Sequence, residues 1–256
     1  ANMPTRDLHS LDASFLLQHV TYARRANEEA PWRERITLEL YRDGILPFAS
    51  ISEKRELWRQ EFYERLRPIV QGLATPGEAA IKLNTTIYPL LKVQYHATKR
   101  PRPDQGPLES IEAGYASCTG LAILLVNACR AVGVPARLAG VAQWTGRPGN
   151  HTWVEVWDGE WHCIGAAESN ALDDVWFGAG AAGADESDPW RRIYAVSFSR
   201  SPLRFPLAWD PYDTSASAVD VTAWYKRVFG GTPAVAGAAP ADIPINVFSH
   251  GGGAIR

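Results

Sequence analysis

The hydrophobic and polar positions divide this chain into a helical first part and a strand-rich second part. Leu8, Leu11, Phe15, Leu16, His19 and Tyr22 recur at helical spacing and predict a helix over Leu8–Asn27, with Asp7 or Ser10 as its cap. Pro31 suits a first helical turn, so a second helix is expected to Tyr41, ending near Asp43-Gly44. Ile45–Ala49 reads as a short apolar connection. Ser52, with Glu56 in the first turn, signals a third helix to about Val70, with Leu57, Trp58, Phe62, Leu66 and Ile69 on its apolar side. Thr75, Pro76 and Glu78 form the start signal of a fourth, running to Leu91. Lys99–Pro107 is too rich in proline and charge to be regular and reads as a loop.

The pattern then changes. From Leu121 to Val132 almost every position is apolar, as in a helix buried on all sides; Ser117 or Thr119 caps it, Gly133 ends it and Pro135 stops it resuming. Cys129 falls inside this helix and reads as core. A short apolar strand, Ala136–Gln143, follows. His151–Trp157 alternates with the period of a strand: His151, Trp153, Glu155 and Trp157 point one way, Thr152, Val154 and Val156 the other. Asp158-Gly159 is a hairpin turn, and Glu160–Ile164 returns beside it. Ala171–Pro189 reads as a loop with an aromatic pair, Trp176-Phe177. Arg192–Phe198 is a further strand, and Asp220–Tyr225 a short ordered piece. Gly230–Pro244 has the composition of a linker, and Ile245–Phe248 reads as a last strand or the start of a further domain. The expected organisation is a helical subdomain or extension over 1–75, a core over 76–229, and a linker and tail over 230–256.

Composition narrows the function. The chain has 256 residues, 46% hydrophobic and 21% charged, within the ordinary globular range. A net charge of -2 offers no electrostatic reason to bind nucleic acid, and no apolar run is long enough to span a membrane. Three cysteines cannot build a disulfide framework, and their spacing does not fit a metal site, so neither metal nor cofactor is expected. The ten tryptophans read first as core filler and second as a platform for sugars or extended chains. The N-terminus carries no signal-peptide pattern, as is also true of an exported protein whose leader has been removed; location is open, with export favoured in that case.

The candidate chemistry lies between Gly114 and Glu168. Cys118 stands at the start of the buried helix, where unpaired N–H groups and the helix dipole lower a thiol's pKa. His151, at the start of a strand, is the candidate base, with His162 as its rival. The Cys118 backbone N–H is a natural oxyanion donor, with Gln94 or Gln105 as the second. Trp144 is a candidate wall of the cleft. Glu155 shares the His151 face as a candidate substrate contact, but at ~13 Å along the strand it is too far to orient His151.

Gly114-Tyr115-Ala116-Ser117-Cys118-Thr119-Gly120 entering an apolar helix, then Arg130–Arg137, then His151-Thr152-Trp153-Val154-Glu155-Val156, resembles the transglutaminase-like superfamily of papain-like thiol enzymes. The resemblance covers roughly residues 80 to 170. It implies an α+β fold, with a buried helix beginning at a nucleophilic Cys118 and packed on an antiparallel sheet, and His151 as general base and acid. The family places an Asp four residues after the tryptophan of the second strand. Here that residue is Gly165. Glu168 is the expected substitute, completing a Cys-His-Glu triad, and Asn170 an alternative.

The expected activity is therefore a thiol-dependent amide-bond hydrolase or acyltransferase acting on a peptide, protein or glycopeptide. Hydrolysis is favoured because the resemblance is to bacterial, peptidase-like members with this bare core. A carbohydrate-active or glycopeptide-active enzyme, using carboxylates among Glu155, Asp158 and Glu168, is the alternative. A non-catalytic binding module on the same fold is a further one. Oligomeric state is open.

Overall fold

The computed structural model describes residues 3–231. In chain order its elements are α1 Thr5–Ser10, α2 Ala13–Glu29, a 3₁₀ turn Arg33–Arg35, the single turn α3 Leu38–Leu40 running into a π turn Tyr41–Ile45, α4 Arg59–Val70 and α5 Pro76–Leu91. There follow β1 Gln94–Tyr95, α6 Pro107–Ala113, β2 Tyr115–Ala116, α7 Cys118–Ala131, β3 Ala136–Val141, β4 His151–Trp157 and β5 Trp161–Ile164. The last are α8 Gly178–Ala182, β6 Ile193–Val196, β7 Ala218–Asp220 and α9 Thr222–Phe229.

A helix without a polar face needs cover on every side, and α7 has it: all its residues from Thr119 to Ala131 are buried. It lies on a five-stranded sheet of order β5-β4-β3-β6-β7, antiparallel throughout. The alternation read in β4 holds. Val154 and Val156 join α7 in one core, with Leu138 and Ile164. Trp153 faces a second core on the opposite side, with Cys163, Phe177, Tyr225 and Phe229. The chain thus forms the expected α+β arrangement of a buried helix on an antiparallel sheet.

The helices before α5 differ from the expected ones, and several of the polar residues read as helix signals, Asp7, Ser52 and Glu56, serve distant partners instead. The helix expected over Leu8–Asn27 is two, divided where Asp12 accepts the Phe15 N–H at 2.7 Å and caps α2. Asp7 is instead buried against Arg55. The helix expected from Pro31 to Tyr41 forms only short 3₁₀, α and π turns. The third begins at Arg59, not Ser52. Ser52 Oγ donates to Asp104 at 2.7 Å, Glu53 accepts the Ser50 and Ile51 N–H groups, and Glu56 accepts those of Leu108 and Glu109. Glu56 therefore serves the start of α6, a helix just beyond the loop read over Lys99–Pro107. Thr75 caps α5 as read, in a capping box with Glu78.

Two fully buried cations join the N-terminal helices to α7. Arg59 donates to the carbonyls of Ile45, Leu46, Pro47 and Arg130, and Arg130 to those of Gly44, Pro47, Ala49 and Ala136. Burial lowers both guanidinium pKa values, to about 9 for Arg59 and about 10 for Arg130. Trp32 and Trp58 lie in the same core as α7. Among the described residues no helix is long and apolar enough to cross a membrane. The linker expected over Gly230–Pro244 lies outside the described residues beyond residue 231, as does the Ile245–Phe248 piece.

Candidate active site

Cys118 is the first residue of α7. Ser117, the N-cap, accepts the Gly120 N–H on its hydroxyl and donates that hydroxyl to Pro103 O at 2.7 Å, which ties the helix start to the preceding loop. The parallel pairing of β1 with β2 delivers the chain to this point. Gly120 is required, since a Cβ there would lie 2.9 Å from the Ala116 Cβ. Of the three free thiols, Cys129 and Cys163 are buried and Cys118 is partly exposed. Burial pushes Cys129 up to about 12 and Cys163 higher still. The Cys118 thiol moves the other way. Burial opposes its ionisation, but hydrogen bonding from His151, the imidazolium charge and the Thr152 backbone N–H outweigh that and lower its pKa.

His151 opens β4 opposite Val141 and is only 5% exposed. The neighbouring Thr152 hydroxyl bonds that of Thr119 at 3.1 Å, which locks this end of the strand to the start of α7. Aromatic rings enclose the imidazole: Trp176 and Phe177 with centroids at 5.0 Å each, and Trp144 stacked at 6.4 Å. Its Nε2 lies 3.6 Å from Glu168 Oε2. Burial alone would strip the proton from this ring. Its interactions with Cys118 and Glu168 prevail and raise its pKa to about 9. The two shifts, one down and one up, are those of a thiolate–imidazolium pair.

The absent side chain at position 165 has a steric use. A Cβ there would stand 2.9 Å from Glu168 Oε2 and 3.1 Å from Glu168 Cβ, so the carboxylate folds back over the glycine toward His151. The same Oε2 accepts the Trp176 indole N–H at 2.8 Å. The turn itself is held from α5. Buried Asn84 donates to Gly165 O at 2.9 Å and Ser169 O at 2.6 Å, and accepts the Ala167 N–H at 2.9 Å. Ala167 adopts a left-handed φ of 63° in this turn.

The other residues singled out in the sequence take different places. Trp144 is buried and stacks on both His151 and Trp153. Gln94 is exposed on β1, opposite Tyr115. Gln105 is fully buried, and its amide N–H groups donate to Tyr115 O and Glu109 O, so its donors face the peptide chain that leads to Cys118. Glu155 is buried with both oxygens engaged, by Arg137 at 2.7 Å and the Tyr225 hydroxyl at 2.9 Å, which leaves neither for a substrate. His162 pairs with Asp173 at 2.6 Å. Asn170 is exposed. Sequence reasoning passed over Asn84, whose partners lie some eighty residues away, and noted Trp176 only as an aromatic in a loop. It also passed over Tyr95, which faces Ala116 in the β1–β2 register. Burial, then the charge on Cys118, pushes the Tyr95 phenol up to about 12, which keeps a proton donor beside the nucleophile. Among the described residues no three His, Cys, Asp or Glu side chains are grouped to hold a metal.

Residues 64–166 match the sequence pattern of the transglutaminase-like superfamily. No curated protein matches the chain. Three chains of solved structures match. One, from Cytophaga hutchinsonii and described as a proposed cysteine protease, is 14% identical, with a TM-score of 0.37, over 84% of this chain and 67% of its own.

Proposed function

We propose that this chain, whose residues 64–166 match the transglutaminase-like superfamily, is a thiol-dependent amide-bond hydrolase acting on peptide or protein. The reading is carried by the opposed pKa shifts of Cys118 and His151 at the start of α7. The Cys118 thiolate attacks the amide carbonyl carbon, and electrons move onto the carbonyl oxygen. The Cys118 backbone N–H, which has no intrahelical acceptor at the first helical position, is placed to stabilise that oxyanion. The tetrahedral intermediate collapses, the C–N bond breaks, and His151 gives its proton to the departing amine. Water, deprotonated by His151, then releases the acid from the thioester. An amine in place of water would give acyl transfer by the same steps; hydrolysis is favoured by the resemblance to peptidase-like members with this bare core. The Glu168 carboxylate holds His151 in its charged form. A two-carboxylate mechanism on a glycosidic bond has less support, because Glu155 is bound by Arg137 and Asp158 by Arg35 at 3.2 Å.

The test is the rate at which iodoacetamide labels Cys118 as a function of pH. A lowered thiol pKa predicts labelling well above that of a model thiol at neutral pH. His151 has its folded pKa raised above the unfolded value of 6.5, so its charge-dependent stabilisation is complete below 6.5 and is lost as pH rises through about 9. Amide turnover therefore falls on the alkaline side near that value, and Cys118→Ala abolishes it. Labelling no faster than the model thiol would overturn the proposal.

A further inference from the structure

Beside the His151 ring, the loop between β3 and β4 presents a cation that the mechanism does not use. The Arg147 guanidinium lies over two indoles, 4.4 Å from the Trp144 ring centre and 5.3 Å from that of Trp176. Both rings flank His151. The loop is closed by the Trp144 N–H on Gly149 O at 2.9 Å, with Gly146 and Gly149 at left-handed φ values of 75° and 95°. Gly180 of α8 leaves the space for this stack, since a Cβ there would lie 3.1 Å from an Arg147 terminal nitrogen and 3.3 Å from the Trp144 ring. The two rings hold the guanidinium, and among the described residues no carboxylate or carbonyl accepts from its N–H groups. Arg147 itself is exposed. An exposed guanidinium fixed by two rings that also flank His151, with its donors unengaged, is prepared for a bidentate bond to an oxyanion.

The position relative to His151 says which part of a substrate would meet it. His151 protonates the departing nitrogen, so the leaving amine passes the imidazole and the rings beside it. We propose that Arg147 binds a carboxylate carried by the leaving amine of the substrate, which makes the enzyme selective for amide bonds followed by an acidic group. This rests on the thiol-hydrolase reading above. The carboxylate has two sources, the free α-carboxylate of a C-terminal residue or the side chain of an Asp or Glu after the cleaved bond.

The experiment uses the full chain and synthetic peptides in matched sets, with free-acid or amidated C-termini and with Glu or Gln after the same bond, products being read by mass spectrometry. A charge-assisted bidentate contact predicts a preference of about 10-fold or more for the carboxylate-bearing leaving group, expressed chiefly in KM. In Arg147→Gln the ratio collapses toward one, and in Arg147→Lys, which keeps the charge and loses the fork, it falls part of the way. Preference for the free acid at the last bond identifies the α-carboxylate; preference for Glu over Gln at internal bonds identifies the side chain. Protection supplies a second readout that needs no turnover. The dipeptide Ala-Glu slows iodoacetamide labelling of Cys118 in the wild type at concentrations where Ala-Gln amide does not, and the difference disappears in Arg147→Gln. If Cys118 labels fast but both ratios are unchanged by Arg147→Gln, the inference is overturned and the thiol reading stands. If Cys118 labels no faster than a model thiol, the thiol reading itself fails.

Discussion

At Gly165 the backbone is not in the left-handed region, so alanine is permitted there as far as φ is concerned. What opposes it are two side chains, the Glu168 carboxylate and the Ser169 hydroxyl, each with an oxygen 2.9 Å from where the Cβ would be. Gly165→Ala is therefore expected to push Glu168 off His151, and also to displace the Ser169 hydroxyl that accepts the Gly165 N–H. Glu168→Gln keeps the shape and removes the charge. Glu168 is one of the groups that raise the His151 pKa, so both variants lower it, and each is expected to reduce turnover by about 10²-fold through the weakened acid–base step. Titration of the His151 ring by NMR, alongside kcat, checks this. An unchanged His151 pKa in both would show that Glu168 does not govern the ring. Under the proposed mechanism Glu168 would supply the carboxylate from a position three residues beyond Gly165. The position that would have borne the Asp is empty of side chain, and the Glu168 side chain passes over it.

The elements around the site are held by side chains as well as by backbone ladders. β4 meets α7 through the Thr119 and Thr152 hydroxyls. The turn after β5 is held by Asn84 of α5, which satisfies two carbonyls and one N–H at once. Asn84→Ala would remove these three bonds, the Gly165 carbonyl keeping only the Glu168 and Ser169 N–H groups, at a cost of about 1–3 kcal/mol. Because the turn carries Glu168, turnover is expected to fall as well, while the labelling rate of Cys118, whose nearest charge is His151, falls less. Urea denaturation and the two rates measured together distinguish this from plain destabilisation, which would lower both rates in step with the unfolded fraction.

Across the whole molecule the sheet separates two cores. The core around α7 draws in the N-terminal helices through the buried Arg59 and Arg130. The other is crossed by a polar chain: Arg137 to Glu155, Tyr225 to Glu155, and the Trp153 indole N–H to the Tyr225 oxygen at 2.6 Å. Arg137 also stacks over Trp161 at 3.9 Å. This network joins α9 to the strand that begins at His151. Tyr225→Phe removes its central hydroxyl and leaves Glu155 Oε1 short of a donor and the Trp153 N–H without an acceptor; the expected loss is about 1–3 kcal/mol in chemical denaturation. A variant as stable as the wild type would mean that the network contributes nothing net.

Much of this could be read before any coordinates. The cap of α5, the apolar helix that starts at Cys118, the alternation of β4 with His151 at its head and the Asp158-Gly159 hairpin are local signals, written within a few residues of the backbone they direct. Periodicity and capping are short-range physics, so one sequence window contains both cause and effect. Tertiary structure alone decided where the long polar side chains went. Ser52 and Glu56 looked like a helix start and instead hold a loop and the start of α6. Gln105 and Glu155 looked available and are bound within the protein. Asn84, Trp176 and Arg147 carried no local signal and gather around the candidate site. A buried donor or acceptor must find a partner wherever the fold brings one within reach, and that partner's place in the chain is set by how helices and strands pack, which no single stretch of sequence contains.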